Sequence, residues 1–156
     1  MEHFNLQQDL SIQEQLHYAK TGSADIQKAL LEYPKLSGDA LVELCQFPRN
    51  LNLLEESVKS RYTEAIMRTL LTPIQQVKIS TISNNTFQTA LLLRSNLSYE
   101  ALLRICQSPA RFAFDIDTVK TMFESATRNL IPALNKEQKL HLALTGNEGV
   151  LRALIP

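Results

Sequence analysis

Apolar residues recur along this chain at helical spacing. Leu54, Val58, Tyr62, Ala65, Ile66 and Leu70 make one stripe, and Val119, Met122, Phe123, Ala126 and Leu130 make another. Leu41, Leu44 and Cys45 form a shorter stripe that Leu102, Ile105 and Cys106 repeat. Steps of three and four bury one side of a helix, whereas strands alternate at two. Punctuation between the stripes cuts the chain into ten expected helices: about 12–20, 24–33, 38–46, 53–71, 73–83, 86–94, 99–107, 116–130, 136–145 and 148–155. Ser11 with Glu14, Thr72 with Gln75, and Asn135 with Gln138 read as capping boxes, in which each side chain bonds the other residue's amide. Pro73 suits a first helical position. Ser37 is read as the cap of the third helix, and Asn52 with Glu55 as the capping pair of the fourth. Gly22 is expected to stop the first helix in the left-handed region. Pro34 and Pro48 stop the second and third.

The helices repeat. The stretch from Leu36 to Pro48 lies over Leu97 to Pro109 at an offset of 61, with Leu-Ser, Ala-Leu, Cys-Gln and Pro in register. Upstream, Gln27, Ala29, Leu30 and Leu31 return as Gln88, Ala90, Leu91 and Leu92. Downstream, Val58-Lys59 returns as Val119-Lys120, and Ala65 as Ala126. A partial third copy stands 124 residues from the first: Leu16-His17 returns as Leu140-His141, Thr21-Gly22 as Thr145-Gly146, and Ala29-Leu30 as Ala153-Leu154. The second copy is therefore two residues longer, with the extra pair expected near Pro132. Helices this short are unstable alone and need stacking to bury a shared core. Ala29, Ala90 and Ala153 share one repeat position, read as a close helix contact. The expected fold is all-α: a short right-handed α-solenoid of stacked helix pairs in one domain, with units at about 11–71, 72–134 and 135–156.

The run Ile26…Ala29-Leu30…Pro34…Leu36-Ser37…Leu41…Leu44 resembles α-solenoids of the HEAT and armadillo kind, and most of all their leucine-rich repeat variant. The second copy departs at Ser95-Asn96, where that pattern ends a helix on proline, and the family's iron–sulfur cysteine cluster has no counterpart. Each helix pair here is nearer 30 residues than the roughly 40 of HEAT repeats. The resemblance implies a curved surface that binds a macromolecule, and it carries over no catalytic residue.

Charge adds a local feature. The chain is formally neutral, with 16 basic and 16 acidic residues. Residues 1–64 carry a net of −4, while 65–114 carry +4 from Arg68, Lys78, Arg94, Arg104 and Arg111 against Glu100. Solvated helix faces scatter charge in this way. A basic middle that meets an acidic partner is the sharper reading. Overall neutrality makes duplex nucleic acid an unfavourable ligand. No basic segment followed by an apolar stretch opens the chain, and its longest aliphatic run is Ala90–Leu93, so a soluble, cytoplasmic protein without a membrane span is expected.

Candidate chemistry is sparse. Cys45 and Cys106 occupy equivalent apolar positions and read as buried packing, not as metal ligands. His17 and His141 are repeat equivalents whose second-copy counterpart is Lys78, which favours a scaffold role. Asp115 and Asp117 suit the positive end of the helix they begin. No cofactor, metal or catalytic set is expected. Glu43, Tyr33 and Asn50 become Arg104, Arg94 and Arg111 in the second copy. Surface drift is one explanation; the other is a binding surface of Arg94, Arg104 and Arg111 with Tyr33, Tyr99 and Phe112 as anchors. The leading expectation is a non-catalytic protein-binding module, an adaptor or a stand-alone inhibitor such as an immunity protein, whose partner offers an acidic patch. Nucleic-acid binding through 65–114 is the alternative, and a HEAT-like enzyme using Asp115 and Asp117 the third. Val150, Leu151, Leu154 and Ile155 are expected to be exposed at the last helix pair, where a second copy would dock.

Overall fold

The computed structural model describes residues 9–155 other than Ala113. Ten α-helices form among them: α1 (Ile12–Thr21), α2 (Ala24–Glu32), α3 (Gly38–Gln46), α4 (Glu56–Arg68), α5 (Pro73–Ser80), α6 (Asn85–Leu93), α7 (Tyr99–Gln107), α8 (Ile116–Leu130), α9 (Lys136–Leu144) and α10 (Glu148–Leu154). No strand occurs among the described residues, and no helix is long and apolar enough to cross a membrane. A short 3₁₀ turn, Ile131–Ala133, follows α8 and contains Pro132. Pro156 lies outside the described residues.

The helices pack in two rows. Each odd-numbered helix from α1 to α9 lies on the next odd one, and each even-numbered helix from α2 to α10 on the next even one. The core runs between the rows through Leu30, Leu41, Ile66, Ile79, Leu91 and Leu102. Tyr62 of α4 stacks on Phe87 of α6 at 4.9 Å between ring centroids, and its hydroxyl donates to the Leu44 carbonyl at 2.6 Å. Each such ring, fully buried, stabilises the fold by roughly 1.5–3 kcal/mol of apolar transfer. Ala90 is buried as the close-contact reading requires, while Ala29 and Ala153 stay half-buried.

All three capping boxes close: Ser11 with Glu14, Thr72 with Gln75 and Asn135 with Gln138. The fourth helix corrects the sequence reading. It begins at Glu56, the Glu55 side chain accepts from the Ser57 hydroxyl at 2.6 Å and makes no capping bond to the helix backbone, and the Asn52 side chain accepts from the Leu54 amide at 3.0 Å. Spent on that turn, Asn52 cannot start a helix. Leu54 therefore falls before α4, while Leu70 lies beyond its cap at Thr69; they are 82% and 86% exposed, and Leu71 takes the core position before Thr72. Gly22 is also corrected. Its backbone is extended (φ −68°), so glycine is required there for space: a Cβ would sit 2.6 Å from the Tyr18 carbonyl oxygen. Left-handed backbone occurs instead at Gly146 (φ 74°), 124 residues later.

Buried glutamines hold the loops at positions 61 apart. Gln15 donates to the Leu10 and Lys35 carbonyls and accepts from the Ser37 amide. Gln76 donates to the Leu71 and Asn96 carbonyls and accepts from the Ser98 amide, the same three positions 61 residues later. Gln27 and Gln88 start alike, donating to the carbonyls of Ala19 and Ser80 at the ends of α1 and α5. Only Gln88 completes the set, donating also to the Ser108 carbonyl and accepting from the Ala110 amide at 2.7 Å. Arg49, 61 residues before Ala110, has left-handed backbone (φ 48°), and its guanidinium donates to the Ala19 and Phe47 carbonyls instead. The Gln27 Oε1 is left buried without a partner.

Candidate functional site

The expected arginine surface is divided by the fold. Arg94 ends α6 and is only 3% exposed. Its Nη1 donates to the Ile66 and Thr69 carbonyls at 2.5 and 2.8 Å, and its Nη2 to Asn96 Oδ1 at 2.9 Å. Burial lowers its pKa from the ordinary arginine value. Tyr33, at the equivalent position, is buried too, and its hydroxyl accepts from the Leu10 amide. Neither side chain lies where a partner would meet it. Arg68 is exposed, but its guanidinium is committed to the Leu31 and Tyr33 carbonyls. Of the basic residues in 65–114, Lys78, Arg104 and Arg111 therefore remain for outside contacts.

Those that remain lie apart. Tyr99 and exposed Arg104 belong to α7 in the odd row, with the Tyr99 hydroxyl 3.5 Å from His141 Nδ1. Exposed Arg111 precedes α8, and its carbonyl accepts from the Asn85 side chain at 3.2 Å. Phe112 is half-buried, edge-on to Phe123 at 5.9 Å. Because Arg94 closes α6 and Arg111 abuts its first residue, the two stand at opposite ends of a nine-residue helix, roughly 13 Å apart.

The outer face of the even row carries a different arrangement. Between α4 and α6 runs a groove of about 470 Å³ lined by Glu56, Lys59, Ser60, Thr63, Thr86, Thr89 and half-exposed Phe114. A second, of about 450 Å³, lies between α6 and α8 and is lined by Leu93, Asp117, Thr118, Thr121, Ser125 and Asn129. A third, of about 540 Å³, lies between α8 and α10 beside Glu124, Glu148, Arg152 and Ile155. Ser60 and Thr63, Thr86 and Thr89, and Thr118, Thr121 and Ser125 repeat at three or four residues, so each helix turns a hydroxyl stripe outward. Threonine inside an exposed helix costs about 0.5 kcal/mol against better helix formers, because its branched side chain is restricted. The odd row lacks these stripes and exposes Glu14, Lys20, Lys78, Glu100 and Arg104. The hydroxyl stripes were visible in the sequence.

The other candidates are structural. Asp115 caps α8, accepting from the Thr118 amide at 2.7 Å, and that bond lowers its carboxyl pKa. No group of three His, Cys, Asp or Glu side chains suited to a metal occurs among the described residues. Cys45 and Cys106 are buried, and desolvation raises both thiols, Cys106 to about 12. At pH 8 such a thiol holds on the order of one part in ten thousand thiolate. Folded protein is expected to show no thiol reacting with an aromatic disulfide reagent in minutes, and both in denaturant; a thiol titrating in native buffer would contradict the burial. At the last helix pair Val150 is fully buried, which corrects its expected exposure. Leu151 and Leu154 are half-buried, and Ile155 is exposed.

Comparison of the chain with known family models, with curated proteins and with solved structures found no match.

Proposed function

We propose that this chain is a short right-handed α-solenoid, made of a 61-residue unit, its copy and a partial third copy, that works as a non-catalytic protein-binding module. Its role is that of an adaptor or a stand-alone inhibitor of immunity type. The observation that carries the proposal is the even-row face, where successive grooves are lined by hydroxyls and amides with Phe114 and Leu93 at their edges. Small polar side chains accept varied hydrogen-bond partners at little conformational cost, and partly exposed apolar residues supply contact area. Glu56, Glu64 and Asp117 in these two grooves outnumber Lys59, a balance that disfavours a phosphate backbone. Arg111, beside Asn85 of the first groove, adds a cationic rim for an acidic group on the partner. Tyr99 and Arg104 fall outside this surface.

The test is capture from native lysate with three baits: the natural chain, Thr89→Arg with Ser125→Arg in the grooves, and Lys78→Glu on the odd row. One protein recovered by the first and third baits, lost with the second and unaffected by nuclease is the expected result. Equal recovery by all three would remove the even-row face as the site. Recovery that disappears with nuclease would replace the reading by nucleic-acid binding.

A further inference from the structure

The last helix pair leaves uncovered a face that the two earlier copies bury. Leu31 and Leu92 are 1% and 3% exposed, while Ile155, at the same repeat position, is 66% exposed. Leu16 and Val77 pack against the core in α1 and α5, while their equivalent in α9, Leu140, is 57% exposed. Leu92 lies beside α8, and Val77 faces Glu100 of α7, so these positions point toward the helix pair that follows in the chain. The apolar surface at α9 and α10 thus continues the packing face already used inside the molecule.

Three differences at this face show what it suits. Gln15 and Gln76 become Lys139, and Gln27 and Gln88 become Leu151, so the amides with which Gln15, Gln76 and Gln88 grip a following loop have no counterpart here. Lys20 and Thr81 become Leu144, apolar although 74% exposed. The surface is therefore more apolar than its equivalents and lacks the clamps a further pair of the same repeat would engage. Its rim carries both signs: among the described residues Glu137, Lys139 and Arg152 make no ion pair, and Glu148 pairs with Lys120 at 2.5 Å. A two-fold axis would set one copy's cations over the other's carboxylates around an apolar centre, as a self-complementary interface requires.

We infer that a second copy of this chain docks here, α9 and α10 against the partner's α9 and α10, giving a symmetric dimer of two helix pairs. Isologous pairing of this kind closes on itself and buries Leu140, Leu144, Leu151 and Ile155 together.

Sedimentation velocity over a hundredfold concentration range tests it. The natural chain is expected to pass from 17.6 kDa to twice that mass as concentration rises. The double variant Leu144→Glu and Ile155→Glu is expected to stay monomeric, with unchanged helical circular dichroism because both side chains lie outside the core. Leu70→Glu, on a different exposed loop, is expected to dimerise as the natural chain does. A monomer at every concentration, or a dimer that survives the double variant, would overturn the inference.

Discussion

Changing Gln88 to leucine is expected to destabilise the protein by about 3 kcal/mol, and the same change at Gln27 by no more than about 1 kcal/mol. Both glutamines are buried at equivalent repeat positions, so their transfer energies match and their bonds decide the difference. Leucine at Gln88 leaves the Ser80 and Ser108 carbonyls and the buried Ala110 amide without that partner, which also frees the loop entering α8. Leucine at Gln27 costs less. It removes an oxygen that is already buried and unpaired, and the Ala19 carbonyl keeps a donor in Arg49 Nη1 at 3.3 Å. For a chain of this size each kcal/mol moves Tm by about 2–4 °C, so Gln88→Leu should melt about 6–12 °C lower and Gln27→Leu within about 4 °C of the natural protein. Urea titrations with matched slopes would measure both. Equal losses at the two sites would show that the extra bonds of Gln88 contribute nothing.

Local signals made most of the helices legible, because caps and breakers act within a few residues. Ser37, Thr72, Asp115 and Asn135 each bond the amide three residues on, and these bonds set where α3, α5, α8 and α9 begin. The signal failed where periodicity outran the helix. Leu54 and Leu70 keep step with the α4 stripe, but Asn52 turns the chain before it and Thr69 ends it, so both leucines meet water. Arg94 was misplaced for another reason. A tyrosine in one copy and an arginine in the next look like surface drift when only charge is compared. Both are large side chains at one buried position, and the acceptors that make arginine tolerable there are backbone carbonyls of α4, which no side-chain pattern announces. The same blindness applies to the even-row grooves: their hydroxyl stripes are plain in the sequence, but only the packing of α4, α6 and α8 side by side joins them into one face.

Arg94→Ala is expected to cost about 3 kcal/mol, lowering Tm by about 6–12 °C, while Arg104→Ala on exposed α7 should stay within about 0.5 kcal/mol. Arg94 is a buried cation whose bonds go to two carbonyls and an amide oxygen, with no carboxylate among them. What balances it is the end of α4. Ile66 and Thr69 present carbonyls from the final turn and cap of that helix, where the peptide dipoles sum to a partial negative charge and no intrahelical donor remains. Arg68 performs the same service one helix earlier, on the Leu31 and Tyr33 carbonyls at the end of α2, so α2, α4 and α6 are tied in sequence by arginines reaching backward. Truncation to alanine would leave a cavity and strip the α4 carbonyls of their donor, although it also removes the unpaired Arg94 Nε. Arg94→Lys should recover only part of the loss, since a single ammonium lacks the planar fork that spans carbonyl and amide acceptors together. Thermal unfolding of the three variants decides the matter. If Arg94→Ala melts with Arg104→Ala, the guanidinium does not hold the even row together, and the apolar packing of Tyr62 on Phe87 must carry that contact alone.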